Sequence, residues 1–202
     1  MNILPLQYFQ QEDTIWLAKD LIGKILVTRF DGMVTSGRIV ETEAYLGVTD
    51  KASHAFGGKR TARTETMYLP GGHAYVYLCY GIHHLFNVVT HKKEIPQAIL
   101  IRALEPLEGI DMMLQRRNKK QVDETLTRGP GSLAKALGLL TSHSGMALHS
   151  SSPVFMASDN EPIEPGRIAC GPRIGVDYAG EDATLPYRFF LFGNPHVTKP
   201  NR

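Results

Sequence analysis

The feature that most constrains the fold is a succession of β-type segments separated by short turn signals. In chain order, the segments are "KILVTRF", "MVTSGRIVETEAYL", "HAYVYLCYGIHHLFNVVT" and "QAILIRALEP". Asp31-Gly32 separates the first two and predicts a hairpin, and Tyr80-Gly81 divides the third into two apolar strands. We expect Pro106 to end the last strand, because proline cannot donate a hydrogen bond to a neighbouring strand. These patterns predict a sheet that is mixed or largely antiparallel.

Helical patterns flank the predicted strands and do not alternate with them regularly. They cover residues 12–23, 107–117 and 130–138, and the first and last of these end in glycine. Residues 47–72 are predicted to form a long loop that could hide a short helix, and the segments after residue 150 form strands and turns. This order indicates an α+β fold. We expect one compact domain over residues 1–202, with a curved, largely antiparallel sheet, flanking helices and a protruding β-hairpin.

The composition is that of an ordinary globular protein, with 43% apolar and 21% charged residues. The sequence contains no apolar run of the length that a membrane span needs, about 18 residues. The N-terminus lacks the pattern of a secretory signal, and two cysteines, Cys79 and Cys170, do not make a disulfide framework. The chain is therefore expected in the cytoplasm. The eight histidines show no zinc-binding spacing, so no metal or cofactor site is predicted.

The net charge of +2 does not by itself indicate a nucleic-acid partner. The positive residues do form two groups, which are Lys59, Arg60 and Arg63, and Arg116, Arg117, Lys119 and Lys120. Such groups are most often solvated loops or helix ends. The alternative is that they contact phosphates, since both lie beside the segments discussed next.

The strand "GRIVETEAYLG" carries two carboxylates and a tyrosine at alternating positions. Because side chains alternate along a strand, Glu41, Glu43 and Tyr45 are predicted to share one face with Ile39. One interpretation is an exposed edge with solvated glutamates. The other is that the strand holds a rigid general base where it enters a loop.

Three further residues, one in the predicted long loop and two in the predicted hairpin, are candidates for contacts with a ligand. His54 offers ring and backbone donors, although an isolated histidine is more often a surface or core residue. Tyr77 could form the wall of a pocket. Tyr80 either folds back onto the core or stands at the hairpin tip, where an aromatic side chain can wedge between bases.

Two polar residues interrupt apolar strands. Asn87 is either a structural hydrogen-bonding residue or a pocket group, because a buried amide needs partners. Arg102 is expected to be paired, since burial of a free charge is costly, and Glu43 is a plausible partner. The pair is either purely structural or also positions a water molecule.

Several motifs together resemble one known family. They are "GRIVETEAYLG", "ASHAFGGKRTART", "YVYLCYGIHHLFNV", "ILIRALEPLEG", "RGPGSLAKALG" and "RIGVDYAGE". Each is modest evidence, but the ordered set resembles the alkyladenine (3-methyladenine) DNA glycosylases, also called methylpurine glycosylases. The resemblance implies a monofunctional enzyme that flips a damaged purine out of duplex DNA and excises it by water attack.

The resemblance also assigns a role to each candidate at the reacting centre. Glu43 is the general base that activates water, and Arg102 holds Glu43 and that water. The backbone carbonyl of Ile174 is a further water contact. Glu41 has no such role by resemblance and is assigned to structure or to the local field.

The remaining candidates are implied to contact the flipped nucleotide. Tyr45, His54 and Tyr77 stack on the base or hydrogen-bond to it. Tyr80 fills the vacated stack, and Asn87 lies at the pocket floor and disfavours a guanine amino group. The implied partner is double-stranded DNA containing damaged purines, and the protein is expected to act as a monomer without a cofactor.

The implied substrates are 3-methyladenine, 7-methylguanine, hypoxanthine and ethenoadenine. No lysine nucleophile is needed, so strand cleavage is not expected. Two alternatives are a nucleic-acid-binding module without catalysis and a small-molecule transferase on a related scaffold. A metal hydrolase that uses some of the histidines is a weaker third.

Overall fold

The computed structural model describes residues 1–164 and 166–199 and shows an α+β fold built on one sheet. The nine strands are β1 (Asn2–Ile3), β2 (Ile25–Phe30), β3 (Met33–Tyr45), β4 (Ala74–Cys79), β5 (His83–Thr90), β6 (Gln97–Glu108), β7 (Val154–Ser158), β8 (Ile168–Gly171) and β9 (Arg188–Leu191). The α-helices are α1 (Thr14–Asp20), α2 (Ile110–Arg117) and α3 (Pro130–Leu137). Every strand pair in the described residues is antiparallel.

The turn and cap residues explain where several elements begin and end. Asp31 and Gly32 both have positive φ angles, 53° and 75°, which is the conformation that a tight hairpin between β2 and β3 requires. Asp13 caps α1 by accepting a hydrogen bond from the peptide N–H of Trp16 at 2.9 Å. Gly138 ends α3 with a φ of 74°. The predicted hairpin turn and the predicted end of α3 are confirmed, whereas α1 ends at Asp20, three residues before the predicted end at Gly23.

Strand β3 lies in the interior of the sheet. The strands follow the order β1-β7-β2-β3-β6-β5-β4, and β9 also pairs with β3 and with β8. The first half of β3 pairs with β2, whereas Glu41 to Glu43 pair with β9, and β6 runs along the opposite edge. The interpretation of this strand as an exposed edge is therefore wrong.

The prediction that Pro106 ends a strand is also wrong, because β6 continues to Glu108. Gly37 lies opposite Pro106 and Ser36 lies opposite Glu108, so Leu107 is an extra residue on β6. The proline lies at this bulge, where the regular ladder is already interrupted and the missing N–H costs little.

The two faces of the sheet are covered differently. Alternate residues such as Val76, Phe86 and Ile99 face the main core, where they pack with α1 and α3. The opposite face, which carries Tyr75 and Tyr77, packs against residues of the segment between β3 and β4. That segment is the predicted long loop, and it contains short 3-10 turns at Gly47–Thr49, Phe56–Gly58 and Glu65–Tyr68. No helix in the described part of the chain is long and apolar enough to cross a membrane.

Candidate active site

A row of directly opposed residues crosses the sheet on the face that the loops cover. Tyr75 of β4 lies opposite Asn87 of β5, which lies opposite Leu100 of β6. Leu100 in turn lies opposite Glu43 of β3, which also lies opposite Arg188 of β9. Because opposed residues in antiparallel strands point to the same face, the sheet brings Tyr75, Asn87 and Glu43 to one surface.

Glu43 is fully buried, with 0% of its surface exposed, and donors contact both of its carboxylate oxygens. Oε1 accepts from the peptide N–H of Ile174 at 2.7 Å and lies 3.2 Å from Nη1 of Arg102. Oε2 accepts from the hydroxyl of Tyr45 at 2.8 Å. Tyr45 and Glu43 are two residues apart on one strand, which is why their side chains meet.

Arg102 contacts both glutamates of β3. Its Nε lies 3.3 Å from Oε1 of Glu41, and its Nη1 binds Glu43. Arg102 is the unmatched residue of β6 between the pairs that Glu41 and Thr42 form. Burial lowers the pKa of Arg102, but Glu43 and Glu41 outweigh burial and leave this pKa raised. The guanidinium therefore remains charged beside both carboxylates.

Glu41 joins three parts of the chain and does not face the pocket. Its Oε1 accepts from Nε of Arg188 at 2.7 Å, and its Oε2 accepts from the peptide N–H of Thr198 at 2.9 Å. With Arg102 as a third partner, this buried carboxylate is a structural link between β3, β6, β9 and the C-terminal segment. A structural role for Glu41 agrees with these contacts.

Arg173 fixes the backbone that reaches Glu43, and sequence reasoning missed it. It is buried and forms two hydrogen bonds to the carboxylate of Asp50, at 2.5 and 2.9 Å. It also donates to the carbonyl of Ala44 at 2.9 Å. Because Ile174 follows Arg173 directly, this ion pair holds the Ile174 N–H against Glu43. The only sequence signal was the position of Arg173 inside "RIGV".

A pocket of about 390 Å³ opens above this arrangement. Glu43 lies beneath it, since Tyr45, Arg102 and Ile174 all contact Glu43 and all line the pocket. The other lining residues include His54, Tyr75, Tyr77, Tyr80, Asn87 and Tyr178. The volume is in the range of small-molecule sites, and aromatic rings supply much of the lining.

His54 forms a ring cluster with Tyr75 and Tyr77. Its ring lies edge-on to that of Tyr77, with centroids 4.6 Å apart, and its Nδ1 lies 2.8 Å from the hydroxyl of Tyr75. Its Nε2 lies 3.2 Å from Nη2 of Arg63. Because a guanidinium can only donate hydrogen bonds, Nε2 of His54 accepts one from Arg63. Nδ1 of His54 therefore carries the ring proton and donates a hydrogen bond to the hydroxyl of Tyr75. Burial, followed by the charges of Arg63 and Lys59, lowers the pKa of His54 to about 4, so the ring is neutral at pH 7.

Asn87 is buried, and its amide is oriented by the backbone. Its Nδ2 donates to the carbonyls of Tyr75 and Leu85, at 3.0 and 3.4 Å. Asn87 also lines the pocket. Both sequence interpretations of this residue therefore apply, since it is a structural hydrogen-bonding residue and a pocket group.

Tyr80 stands at the tip of the β4–β5 hairpin with 91% of its surface exposed. Tyr80 and Gly81 have φ angles of 50° and 71°, and the turn closes through a hydrogen bond from the Ile82 N–H to the Cys79 carbonyl at 3.1 Å. The interpretation in which Tyr80 folds back onto the core is wrong. Close to this turn, Nδ1 of His84 accepts from the Thr141 N–H at 3.2 Å.

The two basic groups do not form free cationic surfaces. Arg60 pairs with Glu65 and Glu94. Arg116 and Arg117 donate to backbone carbonyls, and Lys119 pairs with Asp123 at 2.7 Å. Among the described residues, Lys59, Arg63 and Lys120 have no carboxylate partner. Contact of either basic group with phosphates stays a prediction.

Two other features of the described residues bear on the function. Cys79 and Cys170 are both free thiols. No three His, Cys, Asp or Glu side chains of the described segments come together in the arrangement of a metal site.

Known proteins are similar to this chain over nearly its whole length. The family model described as Methylpurine-DNA glycosylase (MPG) matches residues 8–195. A protein of Bacillus cereus (strain G9842) named "Putative 3-methyladenine DNA glycosylase" is 46% identical over 198 residues, which is 95% of this chain and 97% of that protein. A protein of Clostridium perfringens (strain SM101 / Type A) with the same name is 41% identical over the same shares of both chains. The chain therefore belongs to the methylpurine-DNA glycosylase family, whose enzymes act in base-excision repair and remove alkylated purines by hydrolysing N-glycosidic bonds.

Proposed function

We propose that this protein is a monofunctional glycosylase that excises 3-methyladenine, 7-methylguanine, hypoxanthine and ethenoadenine from duplex DNA. It acts alone, as a monomeric domain in the cytoplasm. The observation that carries the proposal is the buried carboxylate of Glu43 beneath an aromatic pocket, held by Arg102, Tyr45 and the Ile174 N–H. Such a site can take a flipped base and its sugar out of water while a fixed anion faces the bond to be broken.

Glu43 acts on the sugar side of the reaction. Cleavage of the N-glycosidic bond gives the sugar positive, oxocarbenium-like character, which a nearby carboxylate stabilises. Oε2 of Glu43 accepts a hydrogen bond from the Tyr45 hydroxyl and has a second lone pair, which accepts the proton of the attacking water. Arg102 orients the carboxylate and, with the carbonyl of Ile174, the water.

The aromatic groups act on the purine. Tyr45, His54 and Tyr77 bind the flipped base by stacking and hydrogen bonding, and a charged base gains a cation–π contribution. Asn87 lies at the pocket floor with its amide fixed by two carbonyls, where its bulk disfavours the 2-amino group of guanine. The exposed Tyr80 enters the duplex and offsets part of the stacking that is lost on flipping.

Release of free base tests the proposal. The purified protein is incubated, with a chelator present, on duplexes that carry a single hypoxanthine or ethenoadenine and on methylated DNA. We expect chromatography to detect free base, and strand breaks to appear only after alkali treatment. Breaks before alkali would contradict the monofunctional mechanism. No release from any substrate would favour a nucleic-acid-binding module without catalysis.

A further inference from the structure

Arg63 is a pocket cation without a carboxylate partner in the described segments of the chain. Two arginines line the pocket, and Arg102 is balanced by Glu41 and Glu43. Arg60, three positions before Arg63, pairs with two carboxylates. The Arg63 side chain instead contacts His54 and Tyr77. Its positive charge can therefore interact with a ligand that is bound in the pocket.

The backbone and side chain of Arg63 are both positioned. The preceding turn is fixed by Thr64, whose hydroxyl accepts from the Thr61 N–H at 2.8 Å and donates to the Lys59 carbonyl at 3.0 Å. The guanidinium carbon lies 4.7 Å from the ring centroid of Tyr77. Nη2 lies 3.2 Å from Nε2 of His54. The cation thus faces two of the groups that we propose to bind the purine.

The damaged purines fall into two charge classes. The rings of 3-methyladenine and 7-methylguanine in DNA are positively charged, whereas hypoxanthine and ethenoadenine are neutral and present acceptor atoms. A cationic ring beside Tyr77 meets the like charge of Arg63, and His54 does not offset that charge because it is neutral. A neutral ring can instead accept a hydrogen bond from the guanidinium.

We propose that Arg63 is a specificity-determining residue that disfavours cationic purines and favours neutral purines with acceptor atoms. This inference rests on the proposed function and refines its substrate class. A competing role for Arg63 is a contact with a DNA phosphate. That role would affect all lesions equally and would change the salt dependence of binding.

The test compares excision of one cationic and one neutral lesion in the same duplex sequence. The values of kcat/KM for 7-methylguanine and hypoxanthine are measured for the wild type and for Arg63→Gln, Arg63→Lys and Lys59→Gln. We expect Arg63→Gln to raise the ratio of 7-methylguanine to hypoxanthine excision about tenfold, equal to about 1.4 kcal/mol. Arg63→Lys keeps the charge and should leave this ratio close to that of the wild type. Lys59→Gln removes a nearby charge that does not line the pocket, and it should also leave the ratio unchanged.

The possible outcomes separate this inference from the proposed function. Equal losses on both lesions in Arg63→Gln, with a shallower salt dependence, would overturn the inference in favour of a phosphate contact. An unchanged ratio with unchanged rates would also overturn it. Release of neither base by the wild-type protein would reject the proposed function itself. Because Arg63 is exposed, these variants should keep the wild-type Tm.

Discussion

Glu43 and Glu41 are two residues apart on the same strand, and their environments differ in one respect. The partners of Glu43 all line the pocket, whereas Arg102 is the one partner of Glu41 that does so, and Arg188 and Thr198 are not among the lining residues. The difference follows from the position of each residue along β3. Glu43 is nearer the end of the strand, where loops from other parts of the chain arrive.

Glu43→Gln tests the role of Glu43 as general base. The amide keeps the size of the side chain but cannot take a proton from water, so we expect the excision rate to fall at least about 100-fold. The affinity for lesion-containing duplex should change by less than about threefold. Single-turnover base release and equilibrium binding measure the two quantities. Substantial excision by this variant would contradict the role of Glu43 as general base.

The lowered pKa of His54 predicts that the stability of the folded protein depends on pH. Its pKa is about 4 in the folded protein and about 6.5 in the unfolded chain, so the unfolded chain takes up the proton first as the pH falls. The free energy of unfolding should therefore drop between about pH 6.5 and pH 4. The contribution of His54 to that drop is about 2 kcal/mol at pH 5.

His54→Gln isolates this contribution. Urea unfolding of the wild type and the variant at pH 7 and pH 5 gives the free energies needed. The variant should lose less stability than the wild type between these two pH values, because the two proteins differ only at His54. Equal losses would show that His54 is not held neutral.

The β4–β5 hairpin is the element for which the sequence prediction and the structure agree best. Its turn residues and its strands follow from the segment "YVYLCYGIHHLF", whereas the exposure of Tyr80 at the tip was one of two interpretations that the sequence left open. The tip carries no core residue, so it can contact a partner without loss of packing. Its direction relative to the pocket depends on the pairing of β5 with β6, which joins residues that no local pattern connects.

Tyr80→Ala tests the hairpin. Loss of the ring should weaken binding to lesion duplex about tenfold and slow excision, because stacking of one aromatic on a base is worth about 1–3 kcal/mol. The Tm should be unchanged, since Tyr80 is 91% exposed. Trp16→Ala, which removes an exposed aromatic from α1, should leave binding unchanged. An unaltered affinity of Tyr80→Ala would count against the wedge.

At the scale of the whole molecule, one buried ion pair connects the loops around the pocket. Asp50 accepts from Arg173, and it also accepts from the peptide N–H groups of Leu46 and Ala52, each at 3.0 Å. Arg173 further donates to the carbonyl of Asp182 at 3.1 Å. The pair therefore fixes the loop after β3 to the segment that presents Ile174.

Asp50→Asn should destabilise the protein and slow excision together. It leaves Arg173 as a buried charge without a charged partner, which costs about 3 kcal/mol in free energy of unfolding. Glu65→Gln breaks an exposed ion pair with Arg60 and should change stability by less than about 0.5 kcal/mol. Chemical denaturation of both variants measures the difference. Similar stabilities would show that the Asp50–Arg173 pair is not required.

The local sequence pattern was sufficient to predict the parts of the fold that depend on interactions between residues close together in the sequence. The Asp31-Gly32 turn and the end of α3 at Gly138 were predictable because each depends on the φ angle of a nearby residue. The end of β6 could not be predicted from the local pattern. Pro106 is tolerated only because a bulge forms against Gly37, and a bulge is a property of two paired strands.

The same division applies to the candidate site. The motifs and their resemblance to a family identified Glu43, Tyr45 and Arg102 as candidates. The alternation of a strand explains why Tyr45 reaches Glu43. The Asp50–Arg173 pair and the contact of Arg63 with His54 were not predicted, because their partners come from different segments or from one irregular loop.

The sequence by itself determined the strands, the hairpin, the α+β class and the set of candidate residues, because periodicity, turn chemistry and motifs are local properties of the chain. Only the tertiary structure decided that β3 lies inside the sheet, that Glu43 is enclosed beneath a pocket, and that Arg63 lines this pocket without a carboxylate partner among residues 1–164 and 166–199. The burial of a residue and the balance of charge around it depend on all of its neighbours in space. Neighbours such as Glu43 and Ile174, which are 131 positions apart, meet only when the whole sheet has formed.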